Sequence, residues 1–330
     1  LNHCKVTSLL KNDSEQINGV SVIDTEANED IQVKSRVVIN ATGVFANKIL
    51  KLAGRKKNSL KIVPSQGIHL VLDKSFLNGE KALMIPKTSD GRVLFAIPWH
   101  GKVVVGTTDT LIKKPSFEPK PLDQEIDFIL ETAAQYLSKA PTRDDVLSVF
   151  AGLRPLVALE GDKSNTKEIS RGHKIIHSEN GLITIVGGKW TTYREISEDA
   201  VNNAIITHGL AKVDSKTKTM AIHGHISPSN KKIINSDHWF YGSDAIALQE
   251  FMETNKTYKE RLHPNYTFKK GQVVWAAKYE MARTIEDVLA RRIRLLFLDA
   301  QAAIDSSEEV AKILQKELGK PEQSSCVMKS

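Results

Sequence analysis

The sequence holds little cysteine, few aromatics and no long apolar run, and each scarcity removes a class of protein. Two cysteines, Cys4 and Cys326, stand at opposite ends of 330 residues. No disulfide framework organises such a chain, and a reducing compartment fits. No stretch approaches the roughly 18 consecutive apolar residues that a spanning helix needs. Leu295 to Leu298 is among the longest apolar runs, and charge flanks it. The first residues, Leu-Asn-His-Cys, include no initiator methionine, no basic segment and no apolar segment. They are not a signal peptide, and the expectation is a chain that begins inside a longer protein. No G-x-G-x-x-G occurs anywhere, so the pyrophosphate-binding turn of dinucleotide-binding folds is missing. Internal repeats and low-complexity tracts are absent too.

What is there describes an ordinary globular protein. Hydrophobic residues make up 41% and charged residues 26%, and 330 residues exceed what one core usually supports, so two or three domains are expected. The net charge is +7, but most basic residues alternate with acidic ones, as at Lys256, Lys259, Glu260 and Arg261. A tighter cluster, Arg291, Arg292 and Arg294, adjoins Leu295, Leu296 and Phe297. Either its arginines pair with Glu286 and Asp287 on a helix, or they attract anionic headgroups or an anionic substrate. Helix pairing is favoured, because no basic amphipathic face is sustained. Basic and aromatic residues do not interleave as in a nucleic-acid module, so nucleic acid is not expected as a partner.

Lys5 to Leu10, Val20 to Asp24 and Ile31 to Asn40 read as strands, and the last ends in Val37-Val38-Ile39-Asn40, apolar on both faces as in a buried sheet. It runs into Ala41-Thr42-Gly43 and a helix with Phe45, Ile49, Leu52 and Ala53 on one face. From Leu60 to Thr110 the pattern is an antiparallel meander: Leu60 to Val63, Gly67 to Asp73, Ala82 to Ile85, Arg92 to Trp99 and Lys102 to Gly106. Pro64-Ser65-Gln66, Ser89-Asp90-Gly91 and His100-Gly101 separate these strands. Asp123 opens a helix with Ile126, Ile129, Leu130, Ala133, Ala134 and Leu137 at helical spacing. Lys174 to His177 and Leu182 to Val186 are strands, followed by a helix to about Thr207 with a capping box at Thr192 and Glu195. The polar segment 211–236 reads as a linker. Beyond it Ser243 to Thr254, Gln272 to Leu289 and Ser306 to Leu318 are helical, the last with a capping box at Ser306 and Glu309.

The unit from Leu182 to Ile205, strand, Gly187-Gly188-Lys189, helix, carries the most chemistry. Two glycines at a strand end let backbone approach a ligand closely, and a helix N-terminus presents amides and partial positive charge to an anion or an electron-rich ring edge. A purely steric strand-to-helix turn is equally compatible with these residues. Gly187-Gly188-Lys189-Trp190-Thr191-Thr192-Tyr193-Arg194 resembles the closing flavin motif of FAD-dependent glycerol-3-phosphate dehydrogenases, which belong to the D-amino-acid-oxidase-like flavoproteins. Upstream, Asn40-Ala41-Thr42-Gly43, Gly67-Ile68-His69, Gly106-Thr107-Thr108-Asp109, Gly152-Leu153-Arg154-Pro155-Leu156 and Ser170-Arg171 are similar to the other signatures of that family, in the same order. The C-terminal segment, including Val274-Trp275-Ala276 and Ala290-Arg291-Arg292, resembles its cap domain.

The resemblance implies an α+β and α/β fold with an incomplete Rossmann-like FAD-binding domain at 1–59 and 150–210. An antiparallel substrate-binding sheet would occupy 60–149 and a helical cap 237–330. It implies FAD as cofactor, glycerol 3-phosphate as substrate, a quinone as electron acceptor and a cytoplasmic protein peripheral on the inner membrane face. A homodimer is among the assemblies it allows, and no metal is implied. Ala41, Thr42, Gly43, Gly187, Gly188, Lys189, Trp190 and Thr191 would contact the cofactor. His69, Arg154, Arg171 and Lys189 would contact substrate, with His69, Arg154 and Lys189 catalytic. By spacing alone His69 is a structural strand histidine; a reference pKa near about 6.5 makes it the general base once the resemblance is admitted. Arg154 suits a bidentate contact with phosphate or a developing alkoxide, or else a salt bridge to Asp109 or Glu160. Arg171 is either a phosphate ligand or part of a solvated face with Lys167 and Lys174, and Lys189 either reaches the site or points to solvent. Asp109 reads as orienting a loop, and Trp99 and Trp190 as core residues. The missing G-x-G-x-x-G makes the chain look like a C-terminal portion without the phosphate cradle. Two other readings remain: an amine or amino-acid oxidase of the same superfamily, and a non-catalytic module that docks on a partner or membrane.

Overall fold

β-branched and apolar residues recur along Cys4–Lys34 and set up strands. The computed structural model describes residues 1–54, 60–86, 88, 91–159, 172–234 and 236–319. There β1 (Cys4–Lys11), β2 (Ile17–Asp24) and β3 (Glu29–Lys34) form an antiparallel meander. The strand expected from Ile31 to Asn40 is two elements. The Ser35 amide donates to the Asn18 carbonyl (2.8 Å) in register with β2, at the end of that ladder, and β4 (Ile39–Asn40) belongs to another sheet.

Packing divides the chain into two units. The first is Leu1–Gly67, Thr108–Lys120 and Ala151–Met220; the second is Ile68–Thr107, Pro121–Phe150 and Ala221–Ser330. In the first, β4 pairs in parallel with β12 (Ile183–Gly187), which pairs antiparallel with β11 (His173–His177). β4 is the edge of that sheet, and beside it runs a groove of about 300 Å3 lined by Val6, Val20, Val33, Val38, Ile39 and Ile49 among others. Leu50 of α1 (Ala46–Leu52) packs with Ile17, Ala53 and Leu182. α3 (Tyr193–Thr207) follows β12.

β5 (Leu60–Asp73) runs unbroken through Pro64-Ser65-Gln66. The Pro64 carbonyl accepts from the Ile112 amide (3.0 Å), and Ser65 and Gln66 pair with β9 (Thr110–Leu111). Proline needs only to accept there, so its missing N–H costs no ladder bond. β10 (Ser148–Leu159) lies beside β5, with Leu156 on Val63 and Val157 on Ile62.

In the second unit β5 continues against β8 (Lys102–Gly106), then β7 (Leu94–Trp99) and β6 (Leu83–Ile85), all antiparallel. Leu70, Leu72, Ile85, Leu94, Ala96, Val103 and Val105 are buried, as are Ile129 and Ala133 of α2 (Asp123–Ala134). Segment 211–236 has little regular structure beyond α4 (Lys231–Ile234). A 3-10 stretch (Trp239–Asp244) leads into α5 (Ala245–Glu253), then α6 (Lys270–Tyr279), a π-helical turn (Asp287–Arg292), α7 (Leu295–Leu298) and α8 (Ala300–Leu318). Val273, Val288, Leu289, Leu295, Leu298, Val310 and Leu314 form the core here.

Three helix boundaries differ from the sequence reading. The helix expected from Gln272 to Leu289 stops at Tyr279, because Asp287 Oδ2 takes the Arg283 and Thr284 amides (3.0 and 3.1 Å) and starts a new N-terminus. At α3 no capping box forms: the Thr192 hydroxyl donates to the Lys189 carbonyl (3.0 Å) and tightens a 3-10 turn, Trp190–Thr192. α8 starts at Ala300, where Asp299 Oδ1 accepts from the Ala302 amide (3.0 Å); buried Ser306 lies inside the helix and bonds the Ala302 carbonyl (2.7 Å). The arginine cluster behaves as the helix-pairing reading expects, with Arg291 on Asp287 (3.3 Å) and Glu286, while Arg292 donates to the Glu280 carbonyl.

Asp299 serves two donors, since the Tyr266 hydroxyl also bonds its Oδ2 (2.8 Å). Asp299→Ala is therefore expected to lower unfolding free energy by about 2 kcal/mol. Ser306→Ala should stay within about 0.5 kcal/mol. Chemical denaturation of the two variants checks the ranking.

Candidate active site

Arg154 is placed by what β5 lacks. Its side chain reaches over Gly67, where a Cβ would overlap Nη1 and Nη2 and stand 2.7 Å from Cζ. Nη1 donates to the Thr108 carbonyl (3.1 Å) and lies 3.5 Å from Asp109 Oδ1. Asp109 in turn accepts a hydrogen bond from the hydroxyl of Ser65, a residue with no exposed surface. Of the two salt-bridge partners weighed from sequence, Asp109 is thus present, and Glu160 lies outside the described residues. Ser65 was missed, because Pro64-Ser65-Gln66 reads as a turn and its hydroxyl partner is distant in sequence.

The Gly-Gly-Lys turn and the Asn-Ala-Thr-Gly loop come together at one end of a parallel strand pair. Thr184 of β12 is in register with Asn40 of β4, so both segments leave the carboxyl ends of their strands, the end where open α/β sheets bind ligands. Gly187 and Gly188 have φ of +76° and +86°. A Cβ would lie 2.6 Å from the Gly172 carbonyl oxygen at the first and 2.5 Å from Ile196 Cδ1 at the second. Both positions therefore demand glycine, for conformation and for space. The turn hands over to Trp190–Thr192 and the start of α3, whose leading amides have no acceptor one turn back within the helix. Lys189 and Thr191 are exposed.

Trp190 is 85% exposed and stacks on Tyr193 at 5.5 Å. The expectation of a core tryptophan fails here, since the positive-φ turn projects it off the helix head. Trp99 does pack against the helical core of its unit. In the neighbouring loop, buried Asn40 donates to the Ala46 carbonyl (3.0 Å) and accepts from the Thr42 hydroxyl (2.7 Å). Ala41 and Thr42 are exposed, and at Gly43 a Cβ would meet nothing within 4 Å.

His69 lies in the second unit, in register with Gly106. A Cβ at Gly106 would overlap the ring and stand 2.8 Å from Cγ and 2.9 Å from Nε2. The other face stacks on Phe150 (5.2 Å, 15°), which meets Phe297 edge-on (5.1 Å). Phe150 was missed, because no spacing rule links strands so far apart in sequence. Ser170 and Arg171 lie outside the described residues.

Residues 1–194 match the profile of the family described as FAD dependent oxidoreductase, and the chain belongs to that family of flavin-dependent enzymes. Residues 183–325 match a second profile, the C-terminal domain of alpha-glycerophosphate oxidase. The mitochondrial glycerol-3-phosphate dehydrogenase of Schizosaccharomyces pombe is 33% identical over 97% of this chain and 58% of its own length. The human mitochondrial glycerol-3-phosphate dehydrogenase is 33% identical over 96% of this chain and 46% of its own. A solved glycerol-3-phosphate dehydrogenase from Bacillus halodurans, complexed with FAD, superposes with a TM-score of 0.81 at 28% identity, covering 98% of this chain and 66% of that one. The chain spans about half the length of the curated relatives it matches.

The two glycine seats differ in what must yield. At Gly67 the obstacle is the far end of an arginine, so Gly67→Ala should move the guanidinium and change stability by less than about 1 kcal/mol. At Gly106 the obstacle is a ring held against Phe150, so Gly106→Ala should cost about 1–3 kcal/mol. Thermal unfolding and crystal structures of the two variants test this order.

Proposed function

We propose that the protein containing this chain oxidises sn-glycerol 3-phosphate to dihydroxyacetone phosphate with FAD as hydride acceptor. The carrying observation is the Gly187–Gly188 turn at the head of α3, beside the Asn40–Gly43 loop. Its donor set fits a flavin edge: backbone stripped of Cβ, leading helix amides at Trp190 and Thr191, and open space at Gly43. Ala41, Thr42, Gly43, Gly187, Gly188, Lys189, Trp190 and Thr191 would hold the cofactor's reacting half. Bound FAD supplies the two-electron sink. In this reading 1–59 and 150–210 serve the cofactor, 60–149 the substrate, and 237–330 form the cap.

The chain's own chemistry is binding and proton transfer. An imidazole nitrogen of His69 takes the C2 hydroxyl proton as the C2 hydride leaves, and stacking on Phe150 fixes the ring's plane. Arg154 offers a planar guanidinium whose orientation is set by Gly67, Thr108 and Asp109, suited to a phosphate or alkoxide oxygen. Lys189 adds a cation on an exposed turn, and Arg171 is a further phosphate ligand. Three such cations in the motifs support a phosphorylated substrate over an amino acid, whose single carboxylate needs fewer. A quinone is the proposed acceptor, reached from a peripheral position on a membrane face. No described helix is long and apolar enough to cross a membrane.

In the flavin-loaded protein, His69→Ala and Arg154→Ala are each expected to lower turnover with glycerol 3-phosphate by about 10²-fold or more while flavin absorbance is kept. Near-normal turnover in both would remove the site assignment. Anaerobic flavin bleaching by glycerol 3-phosphate but not by glycine separates this reading from an amino-acid oxidase. The 330 residues alone, without a G-x-G-x-x-G, are expected to retain little FAD through gel filtration; a stoichiometrically yellow preparation would contradict that.

A further inference from the structure

We infer that Asp109, anchored by Ser65, is a positioning residue that sets the plane of the Arg154 guanidinium; its bearing on turnover rests on the function proposed above. Gly67, Thr108 and Asp109 all meet Arg154 within the first unit. Gly67 supplies a floor with no side chain, the Thr108 carbonyl takes Nη1 at 3.1 Å, and the Asp109 carboxylate stands 3.5 Å from the same nitrogen. A planar fork held along one face and at Nη1 has little freedom to turn about its long stem.

Asp109 is itself held from behind. Its side chain is 11% exposed against 39% for that of Arg154, so the carboxylate forms the inner end of the pair. Oδ1 accepts from the buried Ser65 hydroxyl. Ser65 and Gln66 are in ladder register with Leu111 and Thr110, and Gln66 Nε2 donates to the Lys120 carbonyl at 2.9 Å. Segment 108–111 is thereby fastened to the strand that carries Gly67. A carboxylate fixed on that ladder gives the arginine a stationary counter-charge. A surface ion pair between two mobile side chains would not do so.

Nothing in this arrangement has Asp109 touch substrate, so its effect must pass through Arg154. Asp109→Asn, which keeps shape and removes charge, is expected to lower kcat/KM for glycerol 3-phosphate about tenfold in the flavin-loaded protein. In an Arg154→Gln background the same substitution should change kcat/KM by less than about twofold. An equal loss in both backgrounds would overturn the inference. A second readout needs neither flavin nor turnover: phenylglyoxal labelling of Arg154, followed by peptide mass spectrometry on the 330-residue chain. Loss of the carboxylate should speed labelling by a factor of about three to ten, and Ser65→Ala, which leaves the charge but removes its anchor, should speed it less. Unchanged labelling in both variants would sink the positioning role. Faster labelling in a protein that does not oxidise glycerol 3-phosphate would leave that role standing and remove the substrate assignment.

Discussion

A large side chain can lie flat along a β-strand only where the strand has no side chain to hold it off. That steric condition is met at Gly67 beneath Arg154 and at Gly106 beneath His69. In each case the functional group is long or planar and the strand is flanked by partners, so neither side chain could be accommodated by moving backbone. The long strands β5 and β10 exist in this form because their ladders are satisfied even at Pro64, whose carbonyl does the only work asked of it. Packing behind them then holds the strand backbone at both seats, so that the side chain above is what must yield to an added methyl group.

The strand-to-helix turn uses glycine differently. At Gly187 and Gly188 both the left-handed backbone and the crowding by Gly172 and Ile196 exclude any side chain. The turn therefore presents peptide groups in place of side chains, at the same end of the parallel pair where Asn40 braces its loop. A site built from peptide dipoles and helix amides carries fixed partial charges without titrating, and such groups need no reorganisation when charge develops opposite them.

Much of this was legible in the residues. Strand and helix positions follow from period-2 and period-3.6 patterns, and among the ordered motifs the structure sets the Asn40–Gly43 loop at the same strand ends as the Gly187–Lys189 turn, and Thr108 and Asp109 beside Gly67 and Arg154. The errors share a physical origin. Pro64-Ser65-Gln66 looks like a break only while its partner strand is unknown. Thr192 and Ser306 have capping spacing, yet the hydroxyl of each is taken by a nearer carbonyl. The long C-terminal helix divides because the Asp287 carboxylate captures two amides, a competition that propensity does not register. The general preference of tryptophan favours a core position for Trp190 over a cofactor platform, whereas the turn before it decides where it points. Ser65 and Phe150 make contacts with residues distant in sequence, which single-sequence reading cannot pair, whereas the Arg154–Asp109 pair was already among the alternatives the residues offered.

The exposure of Trp190 has an optical consequence. The chain has four tryptophans; Trp275 is 8% exposed, Trp99 is half-buried, and Trp239 is 52% exposed, so Trp190 at 85% is the one most in contact with water. Its indole stacks on a tyrosine at the head of α3, directly after the Gly187–Gly188 turn. An indole so exposed emits towards the red, and under the proposed function a bound isoalloxazine beside that turn would quench it. On that reading the molecule carries, in its own side chains, a light-emitting gauge of whether its cofactor is bound.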